Sequence, residues 1–258
     1  MADLARLSRQ RRAREQEGRF VLDGPVLLAD AVAAGIEVHD VFVDPDATTR
    51  PEVADAVAAA VGSGARAWAV QGGLRGHVEP RTPNGVAAVA RTPDAAPDPD
   101  PTARAALHLV LVAVGDPGNA GTLLRTAEAV GATSVVLADG SVDPWSPKVV
   151  RASAGSVLRV PVGHGSAAEV LAALGEAGVQ RVATAGAGGL APQDLDLAGP
   201  VALVLGSEAH GLPADLDAAV DARASLPMAG RVESLNVAVA GSVLAYEVLR
   251  QRAGAGPR

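Results

Sequence analysis

The chain has 258 residues, of which 48% are hydrophobic and only 2% aromatic, so valine, leucine and alanine must form most of its core, and its length suits one large domain or two small ones. It contains no cysteine, which excludes disulfides, thiolate zinc sites and cysteine nucleophiles. The formal net charge of −7 argues against binding of nucleic acid by overall charge alone.

The N-terminal stretch is basic. Residues 1–19 hold six arginines and three acidic residues, which leaves a local charge of +3. The arginines are followed by "EQEGRF" and not by an apolar run, so the stretch is not a signal peptide. Two interpretations stay open: a solvated, frayed terminus, or an arm that contacts RNA, with Arg11 and Arg12 among its cations.

The first third of the chain alternates helical and extended patterns. "GPVLLADAVAAGIEVHDVFVD" predicts a helix over about 24–34, a stop at Gly35 and a strand over 38–43. "PEVADAVAAAVGSGARAWAV" repeats the helix–glycine–strand order, and "NGVAAVAR" supplies another strand. A small α/β domain over residues 1–92 is therefore expected.

A linker follows this domain. "RTPDAAPDPDPTAR" is rich in proline and aspartate and has no apolar periodicity with which to pack. We therefore expect a linker over 93–104 and a second domain over 105–258.

The second domain reads as a β–α repeat. We predict strands over 107–114, 134–138, 181–184 and 201–205, helices over about 119–130 and 167–177, and a closing amphipathic helix at "VAVAGSVLAYEVLRQR". Such alternation predicts a parallel sheet covered on both faces, and such sheets bind ligands at the carboxyl ends of their strands. The chemistry is therefore expected in three loops, 115–125, 206–212 and 226–236.

The first of these loops superficially resembles a dinucleotide-binding turn. Its glycines, Gly115, Gly118 and Gly121, have the spacing G-x-x-G-x-x-G, whereas the dinucleotide fingerprint requires G-x-G-x-x-G. Pro117 also removes a backbone N–H that a phosphate would need. A nicotinamide-dependent oxidoreductase, which rests on the βαβ pattern alone, is therefore disfavoured.

Taken together, the three loops carry a family resemblance. "DPGNAGTLLRTAEAVGA", "LVLGSEAHGL" and "LPMAGRVESLNVAVA" resemble, in order and spacing, the three motifs of the SpoU (TrmH) family of RNA ribose methyltransferases, in the SPOUT class, over about residues 105–250. "GRFVLDGPVLLADAVAAG" and "VEPRTPNGVAAVAR" resemble the substrate-binding domain often attached to that family, over most of residues 16–92.

The resemblance implies more than the residues themselves indicate. It implies an α/β fold with a trefoil knot in the C-terminal parallel-sheet domain, S-adenosylmethionine as cofactor, and a homodimer formed through that domain. The implied reaction is methylation of a ribose 2′-hydroxyl in RNA, with ribosomal RNA favoured over transfer RNA. A protein that keeps the fold and binds RNA without catalysis is the remaining alternative.

The resemblance also implies site residues. Thr184, Gly206, Leu226 and Leu235 match cofactor positions: a glycine lets the backbone approach the ligand, and leucines wall the adenine. The alternative for the leucines is ordinary core packing.

The polar residues of the motifs match the family's active-site positions, and they are Asn119, Arg125, Glu208, Ser234 and Asn236. For Arg125 we favour a bidentate grip on an RNA phosphate, since a guanidinium keeps its proton. The alternatives are helix caps for the Asn and Ser residues and an i+3 pair with Glu128 for Arg125.

Two further cations and two absences complete the sequence-based expectations. Lys148 and Arg151, in "SPKVVRASAGSVLRVPV", either line the RNA entrance or are plain surface charges. The scattered histidines form no H-x-x-x-H pair, so no metal is expected. No apolar stretch reaches the ~18 to 20 residues that span a bilayer, so we expect a cytoplasmic protein.

Overall fold

The structure is a computed structural model that describes residues 1–78, 84–94, 106–207 and 210–254. The chain divides into two compact units. The first unit comprises Met1–Asp94 and Asp143–Arg159, and the second comprises Ala95–Val142 and Val160–Arg258. Most of the predicted linker lies outside the described residues, so the predicted domain boundaries stay predictions.

Helices and strands follow one another along the whole chain. The strands are β1 (Arg19–Asp23), β2 (Val38–Val43), β3 (Arg66–Ala69), β4 (Val86–Arg91), β5 (Leu107–Leu111), β6 (Ser134–Ala138), β7 (Val162–Gly165), β8 (Gln180–Ala185), β9 (Val201–Leu205) and β10 (Ala222–Ser225). The α-helices are α1 (Ala2–Arg9), α2 (Arg11–Glu17), α3 (Pro25–Ala33), α4 (Pro51–Gly62), α5 (Pro117–Ala129), α6 (Pro147–Ala152), α7 (Ala167–Glu176), α8 (Ala214–Asp217) and α9 (Val237–Gly254).

The first unit is built on a mixed four-stranded sheet in the order β1-β4-β2-β3. Strand β4 is antiparallel to both of its neighbours, and β2 runs parallel to β3. The core on one face joins Leu4 and Leu7 of α1 to Val21, Phe42 and Val89 of the sheet. Burial of these leucines explains why the N-terminus folds.

The basic N-terminus is thus not the frayed terminus that was one of the two sequence interpretations. It forms α1 and α2, and Leu4 and Leu7 are fully buried. The physical reason is the helical spacing of these two leucines, which lie on one face of α1 and are buried there despite the surrounding arginines.

A segment from later in the chain completes the first unit. Asp143–Arg159 stands between β6 and β7 in sequence, yet it belongs to the first unit. Arg14 Nε donates to Asp143 Oδ2 over 2.7 Å, and both side chains are at least nine-tenths buried. The ring centres of Phe20 and Trp145 are 4.9 Å apart. A buried ion pair and an aromatic contact therefore anchor this segment to the N-terminal residues.

The second unit has a six-stranded sheet in the order β10-β8-β9-β5-β6-β7. Every pairing in it is parallel, which confirms the predicted parallel α/β domain. Strands β5 and β9 are buried along their whole length, as expected for the centre of a sheet covered on both faces. The trefoil knot stays a prediction.

Helices α5 and α9 lie side by side in the second unit. Thr126 Oγ1 and Ser242 Oγ are 2.7 Å apart and share a hydrogen bond. A Cβ added to Gly241 would lie 2.7 Å from Leu123 Cδ2 and 2.9 Å from Leu205 Cδ1. Glycine at this position therefore lets α9 pack closely on α5 and β9.

The structure corrects two details of the predicted strands. β5 ends at Leu111, three residues before the predicted end at 114, because Ala113 turns the chain with a φ of 54°. The short strands β7 and β10 carry the sequences VGHG and ARAS, which lack the apolar pattern of a buried strand and were not predicted.

Two features are absent from the described residues. None of their helices has both the length and the apolar content to cross a membrane. The described side chains also contain no group of three or more His, Cys, Asp or Glu arranged to bind a metal ion.

The buried ion pair gives a stability prediction. Arg14→Ala would leave the Asp143 carboxylate buried without its cation, which should lower the free energy of unfolding by about 3–5 kcal/mol. Arg12→Ala, at an exposed position of the same helix, should change it by less than about 0.5 kcal/mol. Urea unfolding of both variants checks this, and equal stability of the two would contradict it.

Candidate functional site

A pocket lies at the carboxyl edge of three adjacent strands of the second unit, β8, β9 and β10. The residues that line it come from the ends of these strands, from the loop before α9 and from α9 itself. They are Thr184, Ala185, Gly186, Gly206, Ser207, Gly211, Ala224, Leu226, Met228, Ser234, Leu235, Val237, Ala240 and Leu244. This is the edge at which open parallel sheets bind their ligands.

The loop after β9 folds back tightly on itself. Ser207 and Gly211 exchange two backbone hydrogen bonds, of 3.1 and 2.8 Å, and Gly211 has a φ of 65°, a left-handed conformation that favours glycine. A Cβ on Gly206 would lie 2.5–2.8 Å from backbone atoms of Gly211 and Leu212. Residue 206 must therefore be glycine for the loop to close beside the pocket.

Apolar side chains from the loop before α9 form another wall. Leu226 and Met228 are partly buried, and Leu235 is 38% exposed. A leucine this exposed at the rim of a pocket does not serve core packing, because a core position would remove it from water. The wall therefore presents apolar surface to whatever enters.

The four residues predicted to bind a cofactor all line this pocket. Thr184 stands near the end of β8, Gly206 directly follows β9, Leu226 directly follows β10, and Leu235 lies two residues before α9. Thr184 and Leu235 are 51 positions apart in the sequence, and the parallel sheet brings them to the same pocket.

Two of the predicted polar residues meet by a hydrogen bond. Asn236 Nδ2 donates to Asn119 Oδ1 over 2.9 Å, although the two are 117 positions apart. Asn236 is flanked in sequence by Leu235 and Val237, which line the pocket. The Asn119–Asn236 pair therefore borders the pocket at the start of α9.

The helix-cap alternative holds for one of these residues and not for the other. Asp116 caps α5 by accepting from the backbone N–H of Asn119 over 2.8 Å, so the side chain of Asn119 is not the cap. Asn236 Oδ1 accepts from the backbone N–H groups of Ala238 at 2.9 Å and Val239 at 3.3 Å. Asn236 thus caps α9 with its oxygen and holds Asn119 with its amide nitrogen.

The remaining predicted polar residues are placed as follows. Ser234 is exposed and lines the pocket. Arg125 is exposed on α5, in the stripe that also contains Gly118, Thr122 and Ala129. Glu208 lies outside the described residues, so its role stays a prediction.

The four predicted RNA-contacting cations all belong to the first unit. Arg11 and Arg12 are exposed on α2, and Lys148 and Arg151 are exposed on α6. Arg11 Nε donates to Glu15 over 2.7 Å. Arg151 has a guanidinium nitrogen 3.8 Å from Asp23, whose burial raises the pKa of that carboxyl despite the nearby cation.

Sequence analysis missed several residues of the site. Asp116 was not recognised as the cap of α5, although its position before proline at the first helical residue is a usual helix-start signal. Gly186 and Met228 also line the pocket; Gly186 directly follows β8, and Met228 lies within the predicted loop 226–236.

Comparison with known proteins bears on both parts of the chain. A model described as the SpoU rRNA Methylase family matches residues 106–246, and a model of the MRM3-like substrate binding domain matches residues 3–88. The chain is also 30% identical, over 92% of its length and 91% of the relative, to the 23S rRNA (guanosine(2553)-2′-O)-methyltransferase RlmP of Bacillus subtilis.

Solved structures resemble the chain over nearly all of its length. The AdoMet complex of the SpoU methyltransferase AviRb from Streptomyces viridochromogenes gives a TM-score of 0.89 at 28% identity and covers 100% of this chain and 98% of its own. An AdoMet-bound rRNA methyltransferase from Sinorhizobium meliloti gives a TM-score of 0.85 at 30% identity, with 96% and 93% covered.

The dual role of Asn236 can be separated by two substitutions. Asn236→Ala should lower the free energy of unfolding by about 1 kcal/mol because α9 loses its cap. Asn236→Asp keeps an oxygen for the cap and lacks the amide that donates to Asn119, so it should be close to wild type in stability. Denaturant titration measures both, and an equal loss in the two variants would show that the cap is not the stabilising contact.

Proposed function

The chain belongs to the SpoU rRNA methylase family, and we infer from this that it is an S-adenosylmethionine-dependent enzyme that methylates a ribose 2′-hydroxyl in RNA. Ribosomal RNA is the substrate class, as in the names of two relatives of comparable length, RlmP of Bacillus subtilis and the methyltransferase of Sinorhizobium meliloti. The observation that carries the proposal is the pocket at the ends of β8, β9 and β10, which gathers Thr184, Gly206, Leu226 and Leu235.

The residues of this pocket fit S-adenosylmethionine. The close approach of the chain at Gly206 leaves backbone groups at the pocket wall, where an adenosine can hydrogen-bond to them. Leu226, Met228 and Leu235 offer apolar surface for the faces of an adenine, and Thr184 adds a hydroxyl. We propose that these residues hold the cofactor.

When bound, S-adenosylmethionine supplies an electrophilic methyl carbon, and the remaining requirements fall on the protein. The ribose must be held in line, water excluded, and the charge on the 2′-oxygen stabilised as its proton leaves. We propose that Asn119 and Asn236, fixed by their mutual hydrogen bond, orient the ribose, with Ser234 beside them at the pocket. Glu208 is proposed to shape the loop after β9.

Arg125 is proposed to grip the RNA phosphate next to the target ribose. It is exposed on α5, the helix whose first turn carries Asn119. A guanidinium keeps its proton across the physiological range, so it serves better as a bidentate phosphate ligand and a stabiliser of developing negative charge than as a general base.

The first unit is proposed to bind the RNA. Its sequence matches a substrate-binding domain, and the cations Arg11, Arg12, Lys148 and Arg151 are all exposed within it. Cations at the surface position a nucleic acid through its phosphates without reading its sequence. The choice of nucleotide therefore has to come from other contacts.

A homodimer through the second unit is part of the proposal. Four apolar side chains on α9, Val239, Val243, Tyr246 and Leu249, are each at least 40% exposed and follow one another at helical spacing. A contiguous apolar stripe on a helix usually marks an interface. We propose that a second copy of the chain covers this stripe.

Two further parts of the proposal follow from the family. We propose that the second unit carries the family's trefoil knot, and that the enzyme works in the cytoplasm.

Methyl transfer tests the catalytic proposal. Wild-type protein should move tritium from labelled S-adenosylmethionine to unmodified ribosomal RNA, and Arg125→Ala should lower kcat about 10²–10³-fold because the phosphate loses its partner. Binding of S-adenosylmethionine should be unchanged, since Arg125 does not line the pocket. Arg11→Ala is the matched control, with weaker RNA binding and wild-type kcat.

Three outcomes would contradict the catalytic proposal. Full activity of Arg125→Ala would remove that residue from the active site. Label in transfer RNA alone would reassign the substrate. Cofactor binding without transfer to any RNA by the wild type would favour a protein that binds RNA without catalysis.

The dimer proposal is tested by charge on the α9 stripe. Tyr246→Glu should convert the dimer to a monomer, because an unpaired carboxylate would be buried in the interface. Val26→Glu, at a 69% exposed position of α3, is the control and should leave the mass unchanged. Light scattering after size exclusion measures both, and a monomeric wild type would overturn the proposal.

A further inference from the structure

A second pocket lies in the first unit, beside the edge strand β3. Its floor is apolar and comprises Phe42, Val70 and Val89, and its rim carries Trp68, Gln71 and His77. None of these residues belongs to the pocket of the second unit. The catalytic proposal therefore leaves this pocket without an occupant.

An indole ring is exposed at the pocket. Trp68 is 49% exposed, whereas Trp145 is 8% exposed and contacts Phe20. Tryptophan is enriched at binding surfaces because its ring offers a large apolar face and its N–H a polar handle. Its position at the rim of a pocket indicates a role in binding.

The sheet fixes the indole in place. Trp68 and Arg66 point to one face of β3, and they pair in register with Phe42 and Asp40 of β2. Trp68 Nε1 donates to Asp40 Oδ1 over 2.8 Å, and an Arg66 guanidinium nitrogen donates to Asp40 Oδ2 over 2.9 Å. One carboxylate thus holds both side chains and limits the entropy that the ring would lose on binding.

The charge of Asp40 is stable at neutral pH. Burial alone would raise the pKa of its carboxyl, but the hydrogen bonds from Trp68 and Arg66 and the Arg66 charge outweigh it, so the pKa lies below its usual value. The Arg66 guanidinium carbon lies 6.0 Å from the centre of the Trp68 ring. The guanidinium lies over the ring, so the indole is preorganised with a cation stacked on it.

The chemistry of the pocket selects a planar ligand with polar edges. An aromatic face and an apolar floor favour a flat ring system, and Gln71 supplies both a donor and an acceptor. Arg19 in the pocket and Arg66 beside it each form an ion pair, with Glu17 and Asp40, and Asp3 adds a further carboxylate to the lining, so the pocket suits the ring itself rather than a phosphate. A nucleobase carried on a sugar–phosphate chain has all of these features.

We propose that this pocket binds one unpaired base of the RNA substrate, stacked on Trp68. The inference rests on the proposed function, since the RNA is the molecule that the first unit is proposed to hold. It supplies what the exposed cations lack, because a base captured in a pocket fixes the register of the RNA whereas phosphate contacts only fix its path.

The test compares three variants in RNA binding and methyl transfer. Trp68→Leu keeps an apolar side chain and removes the aromatic face, so the Kd for unmodified ribosomal RNA should rise about 5- to 150-fold. Trp68→Phe keeps a stacking face and should retain most of the affinity. Val61→Leu, at an exposed position of α4 outside the pocket, should bind RNA as the wild type does.

Controls separate this inference from the proposed function. S-adenosylmethionine affinity and kcat at saturating RNA should match the wild type in Trp68→Leu, because Trp68 does not line the cofactor pocket. If the wild type binds and methylates RNA and Trp68→Leu does so with equal Kd, the inference alone is overturned. If the wild type neither binds nor methylates RNA, the proposed function fails first.

A fluorescence measurement keeps the inference falsifiable even if Trp68→Leu does not fold. RNA should quench the tryptophan emission of the wild type, and Gln71→Ala should weaken that binding while leaving the indole in place. Quenching by a free nucleotide as strong as that by RNA would assign the pocket to a small ligand instead. If RNA does not quench the emission and Trp68→Leu has a lower mass than the wild type in light scattering, the pocket is assigned to a second copy of the chain.

Discussion

The close approach of the backbone at the end of β9 is the constraint on which the site depends. Gly206 lies against Gly211 and Leu212 at distances that no side chain would allow. Because the loop closes there, the ends of β8 and β10 and the start of α9 can converge on the same space. The apolar walls and polar groups of the pocket then follow from parallel strands that end at one edge.

Helix α9 links this pocket to the polar pair beside it. Asn236 caps the helix and holds Asn119, while Gly241 lets the same helix pack closely on Leu123 and Leu205. Farther along, Gln251 accepts from the backbone N–H of Leu197 and so fixes the C-terminal end of α9. A single helix therefore holds pocket-lining residues and the Asn119–Asn236 pair together, as an in-line transfer would require.

The sequence predicted what depends on local pattern and missed what depends on distant pairs. Buried strands such as β9 were predicted because a run of valine and leucine suits a sheet covered on both faces. The pairing of Arg14 with Asp143, 129 positions away, was not predicted, since nothing local marks an arginine as buried. The expected cofactor positions came from family resemblance, and Trp68 lies outside every motif.

Affinity for S-adenosylmethionine in two glycine variants tests the central claim most directly. Gly206→Ala places a Cβ 2.5–2.8 Å from backbone atoms, whereas the Cβ of Gly186→Ala, which lines the same pocket, lies at ordinary contact distances of 3.7 and 3.8 Å. Calorimetric titration of the folded proteins measures this affinity. The account predicts that the wild type and Gly186→Ala bind S-adenosylmethionine and that Gly206→Ala loses at least tenfold in affinity, roughly 1.4 kcal/mol. Wild-type affinity in a folded Gly206→Ala protein would contradict it.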